Sequence, residues 1–259
     1  MDQTIEKIIK KADQYVMNLP PLPHIPPVKS NLASYLDCAL HAPDAIPAMV
    51  QKLCAEAAEN YYATVFINPI FVPLAKQSLE GTGVHVGTVA GFPLGGFPTD
   101  TKVHEARSYV NAGADEIDMV MSIGMLKAGE YQYVLDDIRQ VVEVVHPEGS
   151  LIKVILETAL LNRKEKIIVC LICKAAGADF VKTSTGFSTG GATEEDIDLM
   201  RRVVGPEDVM GVKAAGGIHT LDDVIRMIHA GANRLGTRLA ADILKEYQRH
   251  LTPKKPSNK

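Results

Sequence analysis

The sequence alternates short apolar runs with helical periods, and this pattern occurs eight times along its 259 residues. The runs are apolar at consecutive rather than alternate positions, as is typical of parallel strands buried on both faces. The predicted strands are 32–36, 63–67, 84–92, 116–121, 151–156, 180–183, 209–213 and 234–236. The predicted helices are about 44–59, 69–80, 100–112, 126–145, 163–176, 193–204, 220–230 and 239–249.

Eight such units predict either one closed (β/α)₈ barrel or one doubly wound open sheet. Their span of about 220 residues favours the barrel. Three helices end in Ala-Gly-Ala, at 112–114, 176–178 and 230–232, where the glycine can form a left-handed cap before the next strand. No G-x-G-x-x-G motif follows a strand, which disfavours a dinucleotide-binding sheet. We therefore predict an α/β fold of the TIM-barrel type with an extra N-terminal helix.

The chain divides into three predicted segments. Residues 1–30 contain an amphipathic helix, about 4–17, and a proline-rich connector; residues 31–250 form the barrel; residues 251–259 form a basic flexible tail. The helix could pack on a neighbouring subunit or cover the N-terminal end of its own barrel.

Charge and composition exclude several classes of protein. The net charge of −4 leaves no basic excess for binding nucleic acid. The N-terminus has no long apolar run for a membrane span or signal peptide. With only four cysteines a disulfide framework is not expected, and Cys170 and Cys173 are interpreted as packed thiols in a helix. We predict a cytoplasmic enzyme without membrane partners.

Ionisable residues within apolar runs indicate where chemistry could occur, because TIM barrels carry their active sites at the carboxyl ends of the strands. Asp118, Lys182 and Lys213 stand out, and Lys153 and Glu157 form a further polar cluster. Two neighbouring lysines in a dry site lower each other's pKa, so that one is a free amine able to attack a carbonyl. A carboxylate can then move protons together with water. The alternative is a buried salt-bridge network that only fills the barrel.

Glycine-rich segments follow the last three predicted strands, at 184–191, 214–218 and 235–237. Loops at these positions commonly bind phosphate through backbone N–H groups. We therefore expect an anion pocket there. A metal site is not expected, because the eight histidines form no close ligand pair, and most are interpreted as surface residues.

Four segments resemble the motifs of the deoxyribose-phosphate aldolase family, in the family's order. They are GADEIDMVMSIGMLKAGEY (113–131), KVILETALL (153–161), AGADFVKTSTGFSTGGAT (176–193) and GVKAAGGIHTLDD (211–223). The resemblance covers about residues 32–245. It implies that Lys182 forms a Schiff base, Lys213 tunes it and Asp118 relays protons. It also implies reversible cleavage of 2-deoxyribose 5-phosphate to glyceraldehyde 3-phosphate and acetaldehyde, without metal or cofactor, by a homodimer or larger homo-oligomer.

Nine residues are predicted to bind the substrate. They are Asp37, Lys153, Thr183, Gly186, Gly216, Gly217, Gly236, Thr237 and Arg238. The sequence departs from the family pattern where substrate would lie: at Cys38-Ala39 for His-Thr, Phe66 for a small residue, His219 for arginine, and Arg238-Leu239 for small hydroxyl residues. Two alternatives therefore remain open. One is a related aldolase with an altered or unphosphorylated acceptor aldehyde, and the other is a barrel that binds a sugar phosphate without catalysis.

Overall fold

A computed structural model of the chain describes residues 3–28 and 30–251. Within those residues, eight parallel strands close into a barrel in sequence order, which confirms the predicted fold. The strands are β1 (Leu36–Leu40), β2 (Thr64–Ile67), β3 (His85–Ala90), β4 (Glu116–Val120), β5 (Leu151–Ile155), β6 (Phe180–Lys182), β7 (Gly211–Ala215) and β8 (Arg234–Thr237). The helices are α1 (Gln3–Met17), α2 (Pro47–Asn60), α3 (Val72–Ser78), α4 (Thr99–Asn111), α5 (Ile123–Lys127), α6 (Tyr131–Val145), α7 (Arg163–Ala176), α8 (Glu194–Val204), α9 (Leu221–Ala230) and α10 (Ala240–Leu251).

Two predicted elements were wrong. Residues 32–35 form a 3₁₀ helix, and the first strand begins only at Leu36. The 3₁₀ segment is as apolar as a strand because Leu32, Ala33 and Tyr35 are buried, so apolarity alone does not distinguish the two. The single helix predicted over 126–145 is two helices, α5 and α6, separated at Gly129, whose φ of 81° is left-handed.

The interior of the barrel carries charge where such barrels usually contain branched apolar residues. Strand register sets the arrangement. Asp118 of β4 lies beside Lys153 of β5, and Lys182 of β6 lies beside Lys213 of β7. All four side chains are nearly inaccessible to solvent. Because groups this deep must be paired, the register itself creates an ion network inside the barrel.

The N-terminal helix packs against its own barrel. Ile5, Ile8 and Ala12 of α1 are buried, and α1 lies along α7. Asp13 pairs with Lys164 at 2.6 Å, and Arg202 donates a hydrogen bond to the carbonyl of Pro20 at 3.2 Å. Apart from Leu251, the predicted tail 251–259 lies outside the described residues. Across the described part of the chain, no helix is long and apolar enough to cross a membrane.

Candidate active site

The three residues predicted to be catalytic meet at one carboxylate oxygen. Asp118 Oδ2 accepts a hydrogen bond from Lys182 Nζ at 2.7 Å and from Lys213 Nζ at 2.8 Å. Lys213 also pairs with Asp37 at 2.6 Å. Thus one lysine has a single carboxylate partner, whereas the other has two.

This difference sets the protonation of the two lysines. Burial lowers the pKa of Lys182 to about 8. The negative charge of Asp118 opposes this shift, and the positive charge of Lys213 adds to it. Burial would also lower the pKa of Lys213, but the charges of Asp118 and Asp37 outweigh it and raise that pKa. The sequence-based expectation that each lysine lowers the other's pKa therefore applies to Lys182 only. At neutral pH about a tenth of the Lys182 side chains are therefore free amine, far more than for a lysine of ordinary pKa, whereas Lys213 remains a cation.

Asp118 stays ionised in this setting. Its burial favours the neutral acid, but the positive charges of Lys182, Lys213 and Lys153 dominate and hold the pKa of Asp118 far below its usual range. An ionised carboxylate in contact with the reactive amine can accept a proton.

Phe66 of β2 lies among these lysines in the centre of the barrel. The Lys213 Nζ lies 3.6 Å from the centroid of the Phe66 ring, and the Lys153 Nζ lies 4.6 Å from it. A cation over an aromatic face is stabilised, so the ring favours the charged form of Lys213. Gly87 makes room for the ring, since a Cβ at that position would lie 2.5 Å from Phe66 Cζ.

Lys153 does not line the cavity, which corrects its predicted role as a direct substrate ligand. It is fully buried, pairs with Glu116 and lies 3.4 Å from Asp118 Oδ1. Arg234 lies in the same lower layer and pairs with both Asp37 at 2.6 Å and Glu116 at 3.0 Å. This layer supports the reactive groups from beneath.

Thr183 is also placed differently from its prediction. Its hydroxyl donates to the Ala215 carbonyl and accepts from the Ala215 N–H, each at 3.0 Å, and the side chain is fully buried. It links β6 to β7 and does not reach the cavity. Likewise, Glu157 accepts from the Thr185 hydroxyl at 2.5 Å and does not join Lys153. Both residues fix the loop after β6.

A cavity of about 500 Å³ opens above Lys182 at the carboxyl ends of the strands. This volume suits a small ligand. Seven of the nine predicted substrate-binding residues line it: Asp37, Gly186, Gly216, Gly217, Gly236, Thr237 and Arg238. The three glycine-rich loops therefore converge on one space, as the sequence predicts.

The loop after β8 differs from its predicted arrangement in one respect. The Thr237 hydroxyl donates to the Ile218 carbonyl at 2.9 Å and accepts from the Leu239 N–H at 3.0 Å, so the protein itself occupies it. Arg238 and His219 are exposed at the rim of the cavity. No acidic side chain of residues 3–28 and 30–251 pairs with Arg238. Its guanidinium lies at the cavity rim, where it can meet an anion.

His41 lines the cavity but was not among the predicted site residues; its ring centroid lies 5.5 Å from that of Phe92, with the rings tilted by 41°. The error in the first strand explains the omission. With β1 ending at residue 36, His41 looks like a loop residue, whereas in the structure it follows directly on β1. Asp37, Ala39 and His41 alternate along the chain and all face the cavity, the pattern that a correct strand assignment would have revealed.

Cys38, Cys54, Cys170 and Cys173 are buried and free. Burial raises the pKa of the Cys54 thiol to about 11. Among the described residues, no group of three or more histidines, cysteines or carboxylates is placed to hold a metal ion.

The barrel holds a buried amine with a lowered pKa, a carboxylate in contact with that amine and a cavity for a small ligand. This is the arrangement of lysine-dependent, or class I, aldolases. The model of the DeoC/LacD family of aldolases matches residues 37–244. The chain belongs to this family.

Relatives agree with this assignment. The chain is 56% identical to a deoxyribose-phosphate aldolase of Thermotoga petrophila over 202 residues, which are 78% of this chain and 80% of that protein. It is similar to a solved structure from Coccidioides immitis described as a candidate deoxyribose-phosphate aldolase, with 38% identity, a TM-score of 0.87 and coverage of 94% and 98% of the two chains. The deoxyribose phosphate aldolase of Aeropyrum pernix, described as a tetramer, has 29% identity and a TM-score of 0.78 and covers 94% and 97%.

Proposed function

We propose that this protein catalyses the reversible cleavage of 2-deoxy-D-ribose 5-phosphate to D-glyceraldehyde 3-phosphate and acetaldehyde. The observation that carries the proposal is the contact of Lys182 with Asp118 at 2.7 Å beneath the cavity, with the pKa of Lys182 at about 8. Such an amine is nucleophilic at neutral pH and can form an imine with a carbonyl group.

The groups assigned to the site account for each step. The free amine of Lys182 attacks C1 of the open-chain sugar, and loss of water gives the protonated imine. Asp118, acting through water, accepts the proton of the C3 hydroxyl as the C2–C3 bond breaks. Glyceraldehyde 3-phosphate leaves, and the electron pair of the broken bond remains on the enamine of Lys182. Protonation at C2 and hydrolysis of the imine then release acetaldehyde and restore the amine.

Lys213 acts on this reaction through charge. It lies 2.8 Å from the same Asp118 oxygen that Lys182 contacts, and Asp37 holds it at 2.6 Å. A fixed cation there disfavours protonation of the Lys182 amine and keeps Asp118 ionised. These two effects prepare the nucleophile and the proton acceptor together.

The phosphate is assigned to the rim formed by the loops after β6, β7 and β8. Backbone N–H groups of glycine-rich loops and a guanidinium are suited to an anion. Gly216 and Gly217 have φ of 84° and 77°, both left-handed, and Arg238 lies beside them. Arg238 would take over the role of the family's arginine, whose position His219 occupies in this chain.

One observation favours a second candidate, an aldolase of the same mechanism with an altered or unphosphorylated acceptor. The Thr237 hydroxyl is already hydrogen-bonded to the protein, and Leu239 contributes no polar side chain to the rim. Phosphate recognition would then depend on Arg238 and backbone groups. The two candidates differ only in the acceptor, because both use Lys182.

The proposal extends to surroundings and partners. A homo-oligomer is supported by the tetramer described for the Aeropyrum pernix relative. A cytoplasmic location is supported by four free cysteines, which suit a reducing compartment.

Two measurements test the function. Borohydride with acetaldehyde should leave one reduced two-carbon adduct on Lys182, located by peptide mass spectrometry and absent from Lys182→Ala. Retro-aldol rates should then be compared for deoxyribose with and without the 5-phosphate. If Arg238 holds the phosphate, Arg238→Ala lowers kcat/KM at least about tenfold for the phosphorylated sugar and little for the other. Equal losses for both sugars would favour the altered acceptor, and an active enzyme without a Lys182 adduct would contradict the mechanism.

A further inference from the structure

His41 is the most unusual polar side chain in the cavity wall. It directly follows β1 and lines the cavity together with Asp37 and Ala39. Its Nδ1 is buried, and no group of the described residues forms a hydrogen bond with it. A buried polar atom without a partner costs free energy, and native proteins rarely leave one unsatisfied. The partner of Nδ1 is therefore expected from whatever occupies the cavity.

The ring of His41 is held in place by its neighbours. Its ring centroid lies 5.5 Å from that of Phe92, with the two rings tilted by 41°, and Phe92 in turn meets Phe187 edge to face at 5.3 Å. The Asn68 side chain lies within hydrogen-bonding reach of the imidazole, and its amide nitrogen donates to the Ala42 carbonyl at 3.0 Å. A ring positioned in this way loses little further freedom when it binds a ligand.

The imidazole stays neutral. Burial and, next in size, the positive charge of Lys182 together lower the pKa of His41 to about 4, although the negative charge of Asp118 opposes the shift. A neutral imidazole carries one donor and one acceptor nitrogen, which suits a hydroxyl group better than a phosphate.

Ala39 of β1, two residues before His41, indicates which group this nitrogen could bind. Ala39 lines the cavity where the resemblance places threonine, so a hydroxyl able to hold a substrate oxygen is missing. His41 lies two residues further along, on the same face of the chain and nearer the cavity mouth.

We infer that His41 is a specificity-determining residue that hydrogen-bonds a hydroxyl of the acceptor aldehyde, replacing the hydroxyl that Ala39 lacks. The inference rests on the proposed aldol reaction, and it extends that proposal to how the acceptor is recognised. His41 takes no part in forming the imine. Its loss therefore weakens the use of acceptors that carry the hydroxyl and leaves acetaldehyde activation unchanged.

The test compares two acceptors in the synthetic direction with acetaldehyde as donor. D-Glyceraldehyde 3-phosphate carries a hydroxyl next to its carbonyl, and 3-oxopropyl phosphate differs only in lacking it. His41→Phe keeps an aromatic ring against Phe92 but removes both nitrogens. We expect its kcat/KM to fall about fivefold or more for glyceraldehyde 3-phosphate and less than twofold for 3-oxopropyl phosphate. His41→Asn, which keeps a polar group near the Nδ1 position, should retain most of the discrimination.

Controls separate this inference from the function itself. Borohydride trapping of acetaldehyde on Lys182 should proceed equally in the parent and in His41→Phe, which also shows that the variant folds. If His41→Phe does not fold, His41→Leu takes its place. His104→Phe, at an exposed position of α4, should change neither acceptor. A parent protein that joins acetaldehyde to neither acceptor contradicts the proposed function. An active parent whose discrimination survives in both His41→Phe and His41→Leu overturns the role of His41.

Discussion

The chemistry of the site depends on the unequal surroundings of two lysines that are strand neighbours. Both are almost fully buried, yet Lys182 contacts one carboxylate and Lys213 contacts two. Since each ion-pair partner favours the charged form, the lysine with two partners keeps its proton and the other loses it more readily. Asp118 therefore contacts both the nucleophile, Lys182, and the cation, Lys213, through one oxygen.

Replacing Lys213 tests the electrostatic part of this arrangement. Lys213→Leu removes a cation near Lys182, so the pKa of Lys182 should rise above its value of about 8. The rate of imine formation with acetaldehyde should then increase with pH over a higher range than in the parent. A shift of one pH unit corresponds to about 1.4 kcal/mol. Lys52→Leu, at an exposed position, is the control, and a pH profile of Lys213→Leu that overlays the parent's would mean that Lys213 acts in another way.

Replacing Asp118 should shift the same profile in the opposite direction. Asp118 raises the pKa of Lys182, so Asp118→Asn should lower it and bring imine formation to lower pH. Turnover should nevertheless fall, because an amide cannot accept the proton of the substrate hydroxyl. The loss should appear in kcat, with KM changed little. A rise in KM with normal kcat would instead indicate that Asp118 binds substrate.

The sequence predicted which charged residues are buried in the site, but it did not predict which side chains they contact. A lysine or aspartate within an apolar run signals a buried charge, and this picked out Asp118, Lys182 and Lys213. Lys153 gives the same signal and yet lies below the cavity with Glu116. Thr183 follows the reactive lysine in sequence, but its hydroxyl is occupied by Ala215. Which layer of a barrel a side chain reaches depends on strand stagger, which a single sequence does not specify.

At the scale of elements, the spacing of apolar residues and the glycines at helix ends predicted the order of strands and helices. Helix α7 has the bounds predicted for it, and both ends carry local signals: Asn162 and Glu165 form a capping box at its start, and Gly177, with φ of 87°, ends it. The first strand was misplaced because no comparable signal separates a buried 3₁₀ turn from a strand. That four-residue displacement hid His41 from the predicted site. Local boundary errors therefore become errors of function when they fall at a strand end.

Arg201 of α8 joins elements on the side of the barrel away from the active site. Its side chain is buried and donates to the carbonyls of Gly231, Gly205 and Met210 and to Asn233 Oδ1, at 2.7–3.2 Å. These contacts tie α8 to the turns that precede β7 and β8. The guanidinium thus satisfies acceptors from segments that no helix or strand ladder covers.

We expect Arg201→Leu to lower the free energy of unfolding by about 3 kcal/mol or more, because it leaves buried carbonyls without donors. Arg201→Lys should recover only part of the loss, since an ammonium cannot match the planar fork of a guanidinium. Urea denaturation measures both variants, and borohydride trapping on Lys182 in the folded protein should be unaffected. A change below about 1 kcal/mol for Arg201→Leu would show that these contacts contribute little.

The whole molecule is a barrel with one helix added to its outer layer. Residues 167–173 of α7 are all buried, although a surface helix of a barrel normally exposes one face. The explanation is α1, which lies along α7 and buries Ile5 and Ile8. The apolar character of α7 on every side, visible in the sequence, is therefore the counterpart of the amphipathic N-terminal segment.

This packing predicts what Ile8→Ala does to the intact protein. Truncating a buried isoleucine should lower the free energy of unfolding by about 2–5 kcal/mol, because it removes apolar contact and leaves a cavity against α7. Met17→Ala, at the exposed end of α1, is the matched control and should change stability by less than about 0.5 kcal/mol. Urea denaturation gives both values, and sedimentation velocity gives the mass of each variant. Because α1 packs on its own barrel, Ile8→Ala should lower the free energy of unfolding and leave the oligomeric state unchanged. If α1 instead packs on a neighbouring subunit in solution, the substitution would dissociate the oligomer, and the stability would then depend on protein concentration.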